Sequence, residues 1–131
     1  MNSKKTILAI VGVAVLWFLM DFVIHGVLLM DAYKATSQLW RAPEEMNQLA
    51  SMVITFVFSA LYVLFYTFIS SSKTVAQGFK FGFWYGLLSG LGMFSMSIYM
   101  PIPLNIALSW FAACFVESMF AGTFMGYITK E

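Results

Sequence analysis

The sequence predicts an all-α fold: an integral-membrane, antiparallel bundle of four transmembrane helices with both termini in the cytoplasm. Three observations carry that expectation. Of 131 residues, 61% are hydrophobic and only 10% are charged, whereas a soluble domain carries about 25% charged residues. The apolar residues gather into four runs, each near the roughly 20 residues a helix needs to cross a bilayer. Most of the lysines collect at one side of those runs.

The first span covers residues 6–30 and is entered through Lys4 and Lys5. It is too long for a signal-peptide core, and no small-residue cleavage site follows it, so a retained helix is expected. Residues 31–45 read as a polar, interfacial segment in which Tyr33, Leu39 and Trp40 suit the membrane surface. Pro43 fits a first helical position, and Glu44 and Glu45 fit the positive end of a helix dipole. A helix is therefore expected to begin near Pro43 and to enter the bilayer for a second span over residues 49–70. Residues 70–73 read as a turn. Thr74-Val75-Ala76-Gln77 matches a capping box, a hydroxyl with an amide three residues on, and opens the third span, residues 78–99. In Met100-Pro101-Ile102-Pro103 each proline pushes its predecessor out of helical geometry, giving a tight connection. The fourth span covers residues 104–128. So little lies outside the spans that residues 1–131 are expected to form one four-helix domain.

Lys4, Lys5, Lys73, Lys80 and Lys130 fall on one side of this layout. The other side carries Lys34 and Arg41 beside Asp31, Glu44 and Glu45. The positive-inside rule places the lysine-rich side, with both termini, in the cytoplasm. A net charge of +1 excludes a basic nucleic-acid-binding face. The lone cysteine, Cys114, excludes an internal disulfide and thiol-redox chemistry that needs cysteine pairs.

Small residues recur at every fourth position in two spans. The third has Gly78, Gly82, Gly86 and Gly90, and the fourth has Cys114, Ser118, Gly122 and Gly126. Residues four apart share a helix face, and small residues let helix backbones approach closely in lipid. This glycine-zipper pattern is expected to join the third and fourth helices within one chain. The alternative is a homo-oligomer, or a larger membrane complex, formed through the third helix.

Three ionisable side chains lie inside the spans: Asp21, His25 and Glu117. Such residues are costly at that depth and suggest a function by default. At about 1.5 Å of rise per residue, Asp21 lies about 20 Å up the first helix and Glu117 about 16 Å up the fourth, counted from the same side. The two carboxyls thus share a level, with His25 one turn beyond Asp21 and on its face. Ser59, Tyr62 and Ser89 fall at similar depths as hydroxyl partners.

Two close carboxylates repel unless they hold a proton or share a cation. Asp, His and Glu together suit a divalent transition metal, and they equally suit a proton relay. The plain alternative is an Asp–His contact with Glu117 that only locks the first helix to the fourth. Met93, Met96 and Met100 lie along the third helix, and thioethers favour Cu(I), but methionine is also an ordinary gap-filling residue. A haem held by two histidines is excluded by the single histidine. No serine–histidine pair with an orienting acid, cysteine dyad or nucleotide loop is present, so no catalytic residue is assigned.

Asp21-Phe22-Val23-Ile24-His25-Gly26-Val27-Leu28-Leu29, then Leu39-Trp40-Arg41, Pro101-Ile102-Pro103-Leu104, Trp110-Phe111 and Val116-Glu117 resemble a group of small bacterial four-span membrane proteins of unassigned activity. More distantly, the layout is similar to a domain-of-unknown-function family with four helices and a polar segment after the first. The resemblance implies a bacterial inner-membrane protein in which the same Asp, His and Glu positions recur. It implies no substrate. The functional expectation is a multi-pass protein whose Asp21/His25/Glu117 site binds a proton, a metal ion or a small cation. The alternatives are an accessory subunit that packs with partner helices through its glycine face, and a small membrane enzyme acting on a lipid-soluble substrate.

Overall fold

A computed structural model describes residues 3–130. Among them there is no strand, and four helices are long and apolar enough to cross a membrane: Ser3–Leu28, Gln48–Ile69, Val75–Tyr99 and Leu104–Thr129. The elements in chain order are α1 (Ser3–Val23), a π-helical turn (Ile24–Leu28), α2 (Met30–Ala35), α3 (Gln48–Ile69), α4 (Val75–Tyr99) and α5 (Leu104–Thr129). The start of α1 meets the end of α5, with Lys5 Nζ donating to the Lys130 carbonyl at 2.8 Å.

The first helix does not stop at residue 30. Its ladder widens where Leu29 N–H donates to Ile24 O at 2.8 Å, five residues back, and resumes with Tyr33 N–H to Leu29 O at 2.9 Å. Met30–Ala35 is thus helical, where the sequence suggested a polar interfacial segment. No proline or capping residue stands at residues 29–31 to end the helix. The second long helix starts later than expected. Pro43–Glu45 forms only a 3-10 turn, and Met46 and Asn47 are extended. Asn47 is the cap of α3, its Oδ1 accepting from Ala50 N–H at 2.9 Å. Thr74 caps α4 as its motif indicates, Oγ1 accepting from Gln77 N–H at 3.1 Å.

Helix α5 is the spine against which α1 and α4 pack, while α3 lies beside α1. Between α3 and α4 the separation is filled by rings: Tyr62 stands edge-on to Phe81 and to Tyr85, each at 4.9 Å between centroids. These rings, with Ala9, Val13, Val63, Tyr66, Ala121 and Met125, make the larger core. A smaller core at the opposite end folds α2 over the start of α5 and includes Tyr33, Trp40, Ile106 and Trp110. Toward that end α3 leaves the bundle: every residue from 48 to 58 is exposed except the half-buried Thr55.

The α4–α5 seam is backbone against backbone. A Cβ at Gly122 would stand 2.9 Å from Gly82 Cα and closer still to Gly78 O, a gap nothing larger than glycine fits. Gly126 in turn faces Thr74, Val75 and Gly78. At Gly86 and Gly90 the nearest α5 groups are Phe115 and Phe111 rather than Cys114. Four residues advance a helix about 40° past one full turn, so a strict every-fourth stripe on α5 rotates off the seam before it reaches Cys114. All four α4 glycines of the series are buried. That face is occupied within the chain, against α5.

Gly92, on the same helix, has nothing within 4 Å of its Cβ position. Gly122→Ala is therefore expected to lose about 1–3 kcal/mol to overpacking, while Gly92→Ala is neutral or slightly stabilising. Thermal unfolding of the two variants in detergent checks this; equal shifts would show that the seam is not the tight contact described.

Candidate functional site

The site lies where α1 meets α5, and main-chain contacts fix its floor. Trp17 Nε1 donates to the Glu117 carbonyl at 3.4 Å. Tyr62 Oη donates to the Ser118 carbonyl at 2.7 Å and lies 3.3 Å from Ser118 Oγ. The Trp17 and Tyr62 rings meet edge-on at 5.2 Å. Gly82 brings α4 onto the same Ser118 carbonyl. Three helices therefore converge on two consecutive residues of α5, and Glu117 leaves the backbone at that level.

Above this floor the carboxyls of Glu117 and Asp21 face each other across the helix interface. Glu117 Oε1 is buried and has no hydrogen-bond partner among the described residues. Buried polar atoms are nearly always satisfied, so an orphan of this kind calls for an explanation. The expected hydroxyl partners do not supply one. Ser59 Oγ donates to Ile10 O on α1, Ser89 Oγ to Gly86 O at 3.3 Å on its own helix, and Tyr62 to Ser118.

One turn along, His25 Nε2 lies 3.8 Å from Asp21 Oδ1, within ion-pair range but too long for a hydrogen bond. The other ring nitrogen, Nδ1, is 2.6 Å from Tyr33 Oη. That hydroxyl also accepts from Trp110 Nε1 at 2.7 Å. The π-helical turn is what brings Tyr33 over His25. Eight residues of α-helix would leave the two about 80° apart around the axis, and the one extra residue in the turn takes back roughly 100°. Burial holds the Tyr33 phenol above its ordinary range, against the opposing Trp110 hydrogen bond, so it stays a neutral hydroxyl. Rings stack around this contact, with Tyr33 edge-on to Trp40 at 5.4 Å and Trp40 tilted on Trp110 at 5.8 Å.

The structure thus sets His25 against Asp21 and Glu117 against Asp21, and adds Tyr33 and Trp110 beside His25, which residue pattern alone does not place there. The signal for them is weak: Tyr33 reads as an interfacial aromatic, and its meeting with Trp110 depends on α2 folding over α5. Cys114, a half-buried free thiol, lies beside the two carboxyls rather than in the glycine seam. Among the described residues, no three His, Cys, Asp or Glu side chains gather closely enough to hold a metal ion. Met93, Met96 and Met100 are exposed. The His25 and Asp21 side chains remain 39% and 44% exposed, so the cluster reaches the surface of the chain.

Fold and site together define a helical protein with four helices able to cross a membrane and a polar cluster between the first and the last. No protein-family model matches the chain, and no curated protein or solved structure is significantly similar to it. Its function has to be sought in the geometry of the cluster.

Removing the Tyr62 hydroxyl while keeping its ring isolates the α3–α5 hydrogen bond. Tyr62→Phe is expected to lower unfolding free energy by about 1 kcal/mol, the scale of side-chain hydrogen bonds between membrane helices. Tyr62→Ala, which also removes the ring packed on Trp17, Phe81 and Tyr85, is expected to lose several-fold more. Steric-trap unfolding in bicelles reads both; a Phe variant as unstable as the Ala variant would contradict the assignment.

Proposed function

We propose that the chain is a small multi-pass protein of the bacterial cytoplasmic membrane, with both termini inside, that binds a proton or a small cation at Asp21, His25 and Glu117. The observation that carries this reading is the buried, unpartnered Oε1 of Glu117 beside a second carboxyl. An acceptor-only pair in a low-dielectric setting lacks a hydrogen or a positive charge between its oxygens, and a shared proton is the smallest group that supplies it. His25 adds an imidazole, a group that can hold a proton on either ring nitrogen. The exposed flanks of Asp21 and His25 offer a path for exchange. The ligand geometry favours a proton or a monovalent cation over the divalent metal. The lysines at the termini and in the α3–α4 connection support the inside placement of that end.

A role as an accessory subunit draws less support, because the glycine face that would seat a partner helix is buried against α5. A membrane enzyme on a lipid-soluble substrate would use the same carboxyls as acid and base.

Infrared spectroscopy of the protein in liposomes tests the reading. A carboxylic-acid C=O band that titrates with pH is expected, and Glu117→Gln is expected to remove it while circular dichroism stays helical. A band insensitive to pH, or one that persists in Glu117→Gln, would overturn the assignment.

A further inference from the structure

Tyr33 and Trp110 stand apart from the carboxyl pair, yet they set how His25 faces it. An indole N–H can only donate, so the hydrogen in the Trp110–Tyr33 contact of 2.7 Å belongs to Trp110, and Tyr33 Oη is the acceptor. The hydroxyl hydrogen of Tyr33 is then free for His25 Nδ1, 2.6 Å away. If Nδ1 accepts that hydrogen it carries none of its own, and neutral His25 then holds its hydrogen on Nε2, the atom that faces Asp21 Oδ1 at 3.8 Å.

We propose that Tyr33, held in place by Trp110, is a positioning residue that fixes His25 as the Nε2–H tautomer and turns that hydrogen toward Asp21. The inference deepens the proposed proton or cation site and rests on it for its functional meaning, though the tautomer itself does not. When His25 takes up a second proton, both ring nitrogens donate. Tyr33 Oη then accepts from His25 Nδ1–H as well as from Trp110, and its own hydrogen rotates away. Tyr33 serves both charge states because a hydroxyl both donates and accepts. Trp110 cannot follow, since its nitrogen has no acceptor role, so a proton relay through Tyr33 ends there. The Tyr33–Trp110 pair is a clamp, and exchange with the surroundings runs along the exposed flank of His25 and Asp21. The titratable groups that face the imidazole are Asp21 on α1 and Tyr33 on α2; Glu117 and Cys114 of α5 act on Asp21 and on each other.

The chain has a single histidine, so protein labelled with nitrogen-15 histidine gives one unambiguous pair of ring signals. Solid-state NMR of the full chain in lipid is expected to show protonated Nε2 and unprotonated Nδ1 in the neutral ring, as one dominant tautomer. Tyr33→Phe, checked for helicity by circular dichroism, is expected to turn that into a mixture of tautomers. Trp110→Phe is expected to weaken the preference less, because Tyr33 can still donate. A dominant Nδ1–H tautomer in the wild type overturns the proposal, as does a Tyr33→Phe spectrum that superimposes on the wild type. Should Tyr33→Phe fail to fold, the wild-type tautomer decides alone. A carboxylic-acid band that is insensitive to pH or persists in Glu117→Gln, with the Nε2–H tautomer intact, would sink the proton site and leave the clamp standing.

Discussion

Two main-chain carbonyls of α5, at Glu117 and Ser118, are the constraint on which the rest of the molecule depends. Trp17 of α1 donates to the first and Tyr62 of α3 to the second, and glycine at position 82 lets the α4 backbone come up against the second as well. Hydrocarbon offers no water to replace a lost hydrogen bond, and it gives helices no hydrophobic drive to associate. Close packing and side-chain hydrogen bonds between helices must hold such a bundle, and here they concentrate at one level. The Glu117 carboxyl is placed at that level by the same residue whose carbonyl α1 grips.

The site built on this constraint has two unlike ends. At one end Glu117 and Asp21 present acceptors to each other, with Oε1 of Glu117 left unsatisfied. At the other end Trp110 Nε1 donates to Tyr33 Oη, which lies 2.6 Å from His25 Nδ1. His25 stands between, its Nε2 toward Asp21. A purely structural lock between helices would be expected to satisfy its buried oxygens and to hide its charged groups. This cluster leaves one oxygen orphaned and two side chains partly exposed, which is why binding is favoured over helix-locking alone.

Much of this was legible in the sequence because helices long and apolar enough to cross a membrane are written in run length. The four long helices, the Thr74 cap and the proline connection before α5 derive from hydropathy and local geometry, which need no tertiary information. The end of the first helix was not legible, since a π-helical turn at Ile24–Leu28 leaves no mark in residue type. The start of α3 was misplaced because two signals competed. Pro43 with its glutamates fits a helix start as well as a 3-10 turn, and the cap belonged to Asn47. The shared level of Asp21 and Glu117 could be counted from helical rise. The Tyr33–Trp110 contact could not, because it joins residues 77 apart through the fold of α2 over α5. Nor could the inward face of α3 be read from a helix apolar on all sides, and Ser59 and Tyr62 proved to serve main-chain carbonyls instead of the carboxyls.

The central claim is that Asp21 and Glu117 form one site, and a double-mutant cycle measures that directly. Asp21→Asn, Glu117→Gln and the double variant would be compared by unfolding free energy in bicelles. Residues in direct contact couple by about 0.5–3 kcal/mol, whereas independent sites add to within about 0.3–0.5 kcal/mol. The account predicts a coupling in the first range. Strict additivity would mean that the two carboxyls do not meet in the folded protein, and the site would dissolve with that result.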